Sequence, residues 1–238
     1  MAREMTKALM RNPEAIAFRL DDIRDKIRLL IQSGKLKAGE RVNEQALAGQ
    51  LGVSRNAARD ALRSLEQSGL VTIVPNRGAE VRKVSLEDAL HLYDIRAGLA
   101  RTSGRLIALR ITTEEERELI ALIDSMGKAV EKRDNHEYHQ LNEAFHRTLM
   151  QITKNPRLVS VNDALESELQ LYLRQGVYTL AQMRTSQLEH RKILEAIVSG
   201  EPEFAAEAFE KHVLTGKQRM LDTTGSQPRN NSHSSDQS

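Results

Sequence analysis

The sequence predicts a mainly α-helical protein in two parts. The N-terminal part carries one small β-hairpin, and the C-terminal part is an all-α antiparallel helical bundle. Three observations predict this. Leu, Ala, Arg, Glu and Lys dominate the chain, a mixture that favours helix. Apolar residues recur at three- and four-residue spacing over most of its length. One segment alone, residues 70–84, changes to β-branched runs and alternation about the turn residues Pro75-Asn76-Arg77-Gly78.

The elements follow in order. Residues 1–14 are polar and are expected to be flexible. Ile16, Leu20, Ile23, Ile27, Leu30 and Ile31 share a helical face, which Ser33-Gly34 ends. Lys37 to Glu40 reads as a turn. Asn43 caps a short helix through about Leu51, with Glu44 favourable in its first turn. Gly52 interrupts it, and Ser54 caps a helix that runs to about Gln67. Leu70–Val74 and Ala79–Val84 form the hairpin. Ser85, with Asp88 three residues on, opens the helical remainder, with helices expected at 85–110, 113–133, 135–153, 156–180, 183–199 and 202–222. Thr113 with Glu116 fits a capping box, and Pro156 suits a first helical position. From Thr223 the chain is polar and Gly- and Pro-containing, the composition of a disordered tail. The expected organisation is a flexible N-terminus (1–14), a first domain (15–84), a second domain (85–222) and a tail (223–238).

Composition narrows the function. Aromatic residues are 3% and Trp is absent, so the cores rest on Leu, Ile, Val, Ala and Met. There is no cysteine, which excludes disulfides and thiolate metal sites and suits a reducing compartment. The N-terminus lacks the apolar core of a signal peptide, and nowhere do 18 apolar residues run together. A cytoplasmic protein with no membrane partner is expected. The formal charge of +2 does not mark a nucleic-acid binder. Its distribution says more: between Arg41 and Lys83, seven Lys and Arg face four acids, a local excess that suits a phosphate-contacting surface.

The stretch from Asn43 to Val71 carries the most information. Ala46, Leu47 and Ala48 supply small and apolar residues where a second helix crosses the first. Gly52 can take a positive φ without a Cβ penalty, and Val53 anchors the turn. On the helix after Ser54, Ala58, Ala61, Leu62 and Leu65 face inward, while Arg55, Asn56, Arg59 and Arg63 can face out. These are the requirements of a helix-turn-helix. The start of its second helix enters the major groove of double-stranded DNA, where Arg reads guanine and Asn reads adenine. Ser54 and the first amides of that helix suit a phosphate. The hairpin, with Arg77 and Gly78 at its tip, then acts as a wing, placing Arg77 beside phosphates or in the minor groove.

These residues resemble the winged helix-turn-helix domain of GntR-family bacterial regulators. The family's turn is matched by Gly52-Val53-Ser54-Arg55, and its following Arg and acid by Arg59-Asp60. The resemblance implies contacts to a DNA operator at Ser54, Arg55, Asn56, Arg59, Arg77 and Gly78, with Gln45 from the preceding helix. Family members usually carry Thr-Pro-Val where this chain has Asn56-Ala57-Ala58, a departure that bears on which operator is read. The C-terminal part resembles the six-helix, VanR-like version of the FCD effector domain of the FadR-like subfamily.

That second resemblance implies a sensor site. Many FCD domains hold a divalent transition metal such as Zn or Ni through an Asp and three His. The matching positions are Asn142, His146, His190 and His212. Asn142 departs from the pattern: a neutral amide is a weaker ligand than a carboxylate and leaves more positive charge at the site. The resemblance further implies a small organic or sugar acid as effector, with Arg96 placed to pair with its carboxylate, and a homodimer whose two-fold symmetry matches operator half-sites. The expected protein is a DNA-binding transcription regulator, a repressor released by its effector, and not an enzyme. Two alternatives stand beside it. One is a metal-dependent hydrolase using the imidazoles to activate water, and the other an architectural DNA-binding protein that senses nothing.

Overall fold

A computed structural model describes residues 13–75, 77–173 and 179–225, with side chains placed from Leu20 to Thr223 within that range. The described chain divides into two compact units that do not follow chain order. Within the described residues, the first falls in 13–92 and 154–179, and the second in 93–153 and 180–225.

In the first unit, α1 (Pro13–Gln32) is followed by β1 (Arg41–Val42), α2 (Glu44–Leu51), α3 (Arg55–Gln67), β2 (Val71–Val74) and β3 (Gly78–Val81). The apolar face of α1, Ile23, Ile27 and Ile31, is buried and packs against α3, which buries Ala58, Ala61, Leu62 and Leu65. Leu47 and Ala48 of α2 and Val42, Leu70, Val71, Ala79 and Val81 join this core. The sheet has three antiparallel strands in the order β1-β3-β2, so the hairpin expected from sequence gains a third strand. Arg41 and Val42 pair with Glu80 and Ala79. Flanking bonds from Gly39 N to Val81 O (2.8 Å) and from Val81 N to Glu40 O (2.9 Å) fix them. At the hairpin tip, Arg77 N donates to Val74 O (3.0 Å) and Gly78 takes φ 81°; Asn76 lies outside the described residues. The same unit contains α7 (Pro156–Leu173), whose Glu168 accepts from the Arg82 guanidinium.

The helix α4 (Leu86–Arg110) supplies residues to both units. Ser85 and Asp88 bond each other reciprocally at its start. The second unit adds α5 (Thr113–Lys132), α6 (Asn135–Ile152), α8 (Leu180–Val198) and α9 (Pro202–Gly225). α5 packs on α6 and on α8, and α8 on α9. Leu119, Ile123, Met126, Tyr138, Phe145, Leu149, Ile193 and Ile197 form much of the core. The capping box falls one residue earlier than expected. Thr112 accepts from Glu115 N and Glu115 accepts from Thr112 N. The run Thr112-Thr113-Glu114-Glu115-Glu116 satisfies the motif in two registers, and the earlier one adds a helical residue. The last helix also runs past its expected end at 222 to Gly225, helped by bonds from Gln218 to Asp222 and from Thr223 to Arg219 O. The expected helix over 156–180 is described as far as Leu173, residues 174–178 lying outside the described part, and the next begins at Leu180 rather than 183. Residues 1–12 and 226–238, most of the expected flexible ends, also lie outside it. Among the described residues no helix is long and apolar enough to cross a membrane.

Gly104 on α4 approaches α9 so closely that an added Cβ would lie 2.5 Å from Ala205 O and 2.8 Å from Ala206 Cα. These are backbone atoms and cannot swing aside. Ala in place of Gly within a helix would ordinarily gain about 0.5–1 kcal/mol. Here overpacking of about 1–3 kcal/mol outweighs that gain. Gly104→Ala is therefore expected to lower stability, read as an earlier urea midpoint with an unchanged slope. A later midpoint would show that the two helices part without cost.

Candidate DNA-reading face and histidine cluster

The first unit builds the reading face. Asn43 Oδ1 accepts from Gln45 N and Ala46 N, each at 3.0 Å, and starts α2. Gly52 ends it in the left-handed region, at φ 67° and ψ 33°. Val53 N bonds back to Ala48 O (3.0 Å). Ser54, at an extended ψ of 153°, then starts α3 by accepting from Ala57 N. Because Ala58, Ala61, Leu62 and Leu65 are wholly buried, the opposite side of α3 presents exposed Arg55, Asn56, Arg59 and Arg63. Gln45 and Arg77 are exposed as well. Two of these side chains are held in place. Arg55 Nε donates to Glu44 Oε2 at 3.0 Å, and Arg59 Nη2 donates to Asn56 Oδ1 at 2.9 Å. Behind them, Glu66 accepts from Ile73 N (2.8 Å) and ties α3 to β2. Sequence reasoning placed Glu44 only as a favourable first-turn acid. Its role as the partner of Arg55 joins residues eleven apart on two helices, which no single-helix periodicity reveals.

The second unit gathers His146 from α6, His190 from α8 and His212 from α9. Their candidate ligand atoms all lie within 4.8 Å of one another, and their ring centroids are 4.9–5.2 Å apart. His146 Nε2 and His212 Nε2 are 3.3 Å apart. Phe145 packs its ring 4.7 Å from that of His190. Burial pushes His190 and His212 well below the ordinary imidazole range. Neighbouring imidazoles and Arg219 push both the same way, and Arg96 does so for His212. Both rings are therefore neutral near pH 7, with lone pairs available.

Glu189 Oε2 lies 2.7 Å from His212 Nδ1, and Arg219 Nη1 grips both Glu189 oxygens at 2.9 and 3.0 Å. Ser186 Oγ is 3.5 Å from His190 Nε2, while His190 Nδ1 is buried with no hydrogen-bond partner among the described residues. The half-buried Asn142 stands one turn before His146 on α6. Glu143, the nearby acid, is instead 3.4 Å from His139. Arg96 sits with its guanidinium 5.8 Å from the Tyr93 ring centroid.

The donor set fits a divalent metal. Three converging imidazoles suit Zn, Ni, Cu or Fe. Two imidazole nitrogens bound about 2.0–2.1 Å from a tetrahedral Zn lie about 3.3 Å apart, as His146 and His212 do. The orphaned His190 nitrogen is the kind of buried atom that a ligand satisfies.

A capped, arginine-bearing helix beside a three-stranded wing defines a DNA-binding transcription regulator. Residues 20–81 match the family described as Bacterial regulatory proteins, gntR family, and residues 91–215 match the FCD domain. The chain belongs to the GntR family of bacterial transcription regulators, with an FCD-type C-terminal domain, and this is not an enzyme family. It is 30% identical over 198 residues to the "Probable D-xylose utilization operon transcriptional repressor" of Paenarthrobacter nicotinovorans, spanning 80% of this chain and 84% of that one. It is 26% identical to the "Glc operon transcriptional activator" of Escherichia coli K12 over 84% of this chain and 88% of that one. Among solved structures, E. coli McbR/YncC shares the fold, with a TM-score of 0.74 at 20% identity, covering 87% of this chain and 98% of that one.

Proposed function

We propose that the protein is a homodimeric repressor whose operator affinity falls when a small organic or sugar acid binds at a divalent metal held by His146, His190 and His212. One observation carries this reading: three imidazoles from separate helices converge within 4.8 Å, two of them buried and His146 half-buried. The neutrality of His190 and His212 and the match of His146 and His212 to imidazole spacing around a metal support it. Asn142 completes the set as a weak amide ligand. A metal in this place would supply open coordination positions for an effector carboxylate. Arg96, close enough to be felt by His212, would pair with the remaining carboxylate charge.

On the DNA side, Arg55, Asn56 and Arg59 read base edges, and Ser54 with the first amides of α3 holds a phosphate. Gln45 adds a contact from α2, and Arg77 and Gly78 bring the wing against the sugar-phosphate backbone. Two chains related by a two-fold axis present two such faces to operator half-sites. The helix α4 begins one residue after Ser85 and supplies residues to both units, so it links the effector domain covalently to the reading head. Effector binding lowers operator affinity only by favouring one arrangement of the two heads over another. The repressor named among the relatives supports this sign, and the named activator shows that the opposite sign occurs in similar proteins. A regulator of bacterial genes acts in the cytoplasm.

The test is a thermal-shift screen of Zn- and Ni-loaded protein against small organic and sugar acids, followed by gel-shift titration of an operator. A binding acid should raise the melting temperature and weaken the shift by 5-fold or more, within the roughly 5–150-fold range of ordinary coupling. Unchanged operator affinity at saturating effector would remove the sensing role.

A further inference from the structure

One half-buried carboxylate, Glu189, lies beside the histidine cluster. Glu189 precedes His190 on α8, yet it bonds His212 on α9, at 2.7 Å through Nδ1. Its side chain is 17% exposed and that of His212 is 9% exposed. Both its oxygens are gripped by Arg219, about two turns further along α9 than His212. The carboxylate is therefore anchored on the far side of the His212 ring from the cluster, whose facing atom is Nε2, 3.3 Å from His146 Nε2.

We infer that Glu189 is a positioning residue for the metal site: it fixes His212 as the Nδ1–H tautomer, directs the Nε2 lone pair into the cluster, and supplies carboxylate charge that Asn142 does not. This rests on the metal reading given above. An ionised carboxylate has no proton of its own to donate, so the bond at 2.7 Å requires the proton on Nδ1. The lone pair then belongs to Nε2. Such a carboxylate–histidine pair orients a metal ligand and raises its basicity. Arg219 fixes the carboxylate's rotamer through two bonds, so the ring has one orientation before any metal arrives. With Asn142 in the set, the three imidazoles bring no negative charge. Glu189, one bond removed, is an acid that touches a ligand ring.

Two measurements test this. Long-range 15N–1H NMR of the metal-free chain should report His212 protonated at Nδ1 in the wild type, and Glu189→Ala should shift the population toward Nε2–H. A wild-type Nε2–H ring would overturn the inference without reference to metal. Competition titration with Zn2+ should give an affinity about 10–100-fold lower in Glu189→Ala. Glu189→Gln, which keeps an acceptor and loses the charge, should fall between it and the wild type. Far-UV circular dichroism identifies a variant that has not folded, and the Gln variant then carries the comparison. Wild-type affinity in both folded variants would overturn the positioning role and leave the metal site standing. A wild-type chain that takes up no Zn2+ would overturn the metal reading, and this inference with it.

Discussion

Operator binding by the Arg59→Ala variant should fall by about 1–3 kcal/mol, roughly 5–150-fold, with base preference relaxed at one position of each half-site. The expectation follows from how α3 is built. Its inner face is wholly buried, so the helix cannot rotate to substitute another side chain. On the outer face Arg59 is already braced by Asn56 Oδ1 and Arg55 by Glu44. A braced guanidinium loses less rotamer freedom on docking than a free one, and its planar fork matches guanine O6 and N7. Arg55→Ala should behave alike. Arg77→Ala should instead weaken all duplexes nearly equally and lower the salt slope by about 1, because a wing residue meets phosphate. Anisotropy titrations at fixed salt, on a duplex selected from a random pool and on its single-base variants, separate these outcomes. An Arg59→Ala chain that keeps full sequence preference would exclude α3 from base readout.

The reading helix was legible because all of its determinants are local: the Ser54 cap, the Gly52 turn and a clean division between Ala/Leu and Arg/Asn faces. The strand β1 was not. Two residues, Arg41 and Val42, are too few to show alternation, and their partners Glu80 and Ala79 stand almost forty positions away. The repeated threonine and glutamate at 112–116 left the helix start ambiguous by one residue. The histidines show a different limit. His146, His190 and His212 lie on three helices, so no spacing rule joins them; the family resemblance singled them out, and the fold brings them together. Glu189 had no such guide. As the neighbour of His190 it reads as an ordinary helix acid, and only the packing of α8 on α9 directs it to His212.

His190→Ala should lower Zn2+ affinity by more than about 100-fold, beyond the 10–100-fold typical of changes behind a ligand. His190 is wholly buried. The two remaining imidazoles and the Asn142 amide bring no charge to compensate. The metal-free chain should respond much less. Removing the ring opens a cavity beside Phe145, yet it also removes a buried Nδ1 that has no partner among the described residues. The desolvation relieved is about 1–3 kcal/mol, comparable with part of the packing lost. The contrast is measurable on one protein pair. Wild type should gain about 2.7 kcal/mol of stability at a Zn2+ concentration one hundred times its dissociation constant, while the variant at the same concentration should gain almost none. Elemental analysis after dialysis gives the second readout. Equal metal content in the two chains would place the ion, if one binds, away from the three rings.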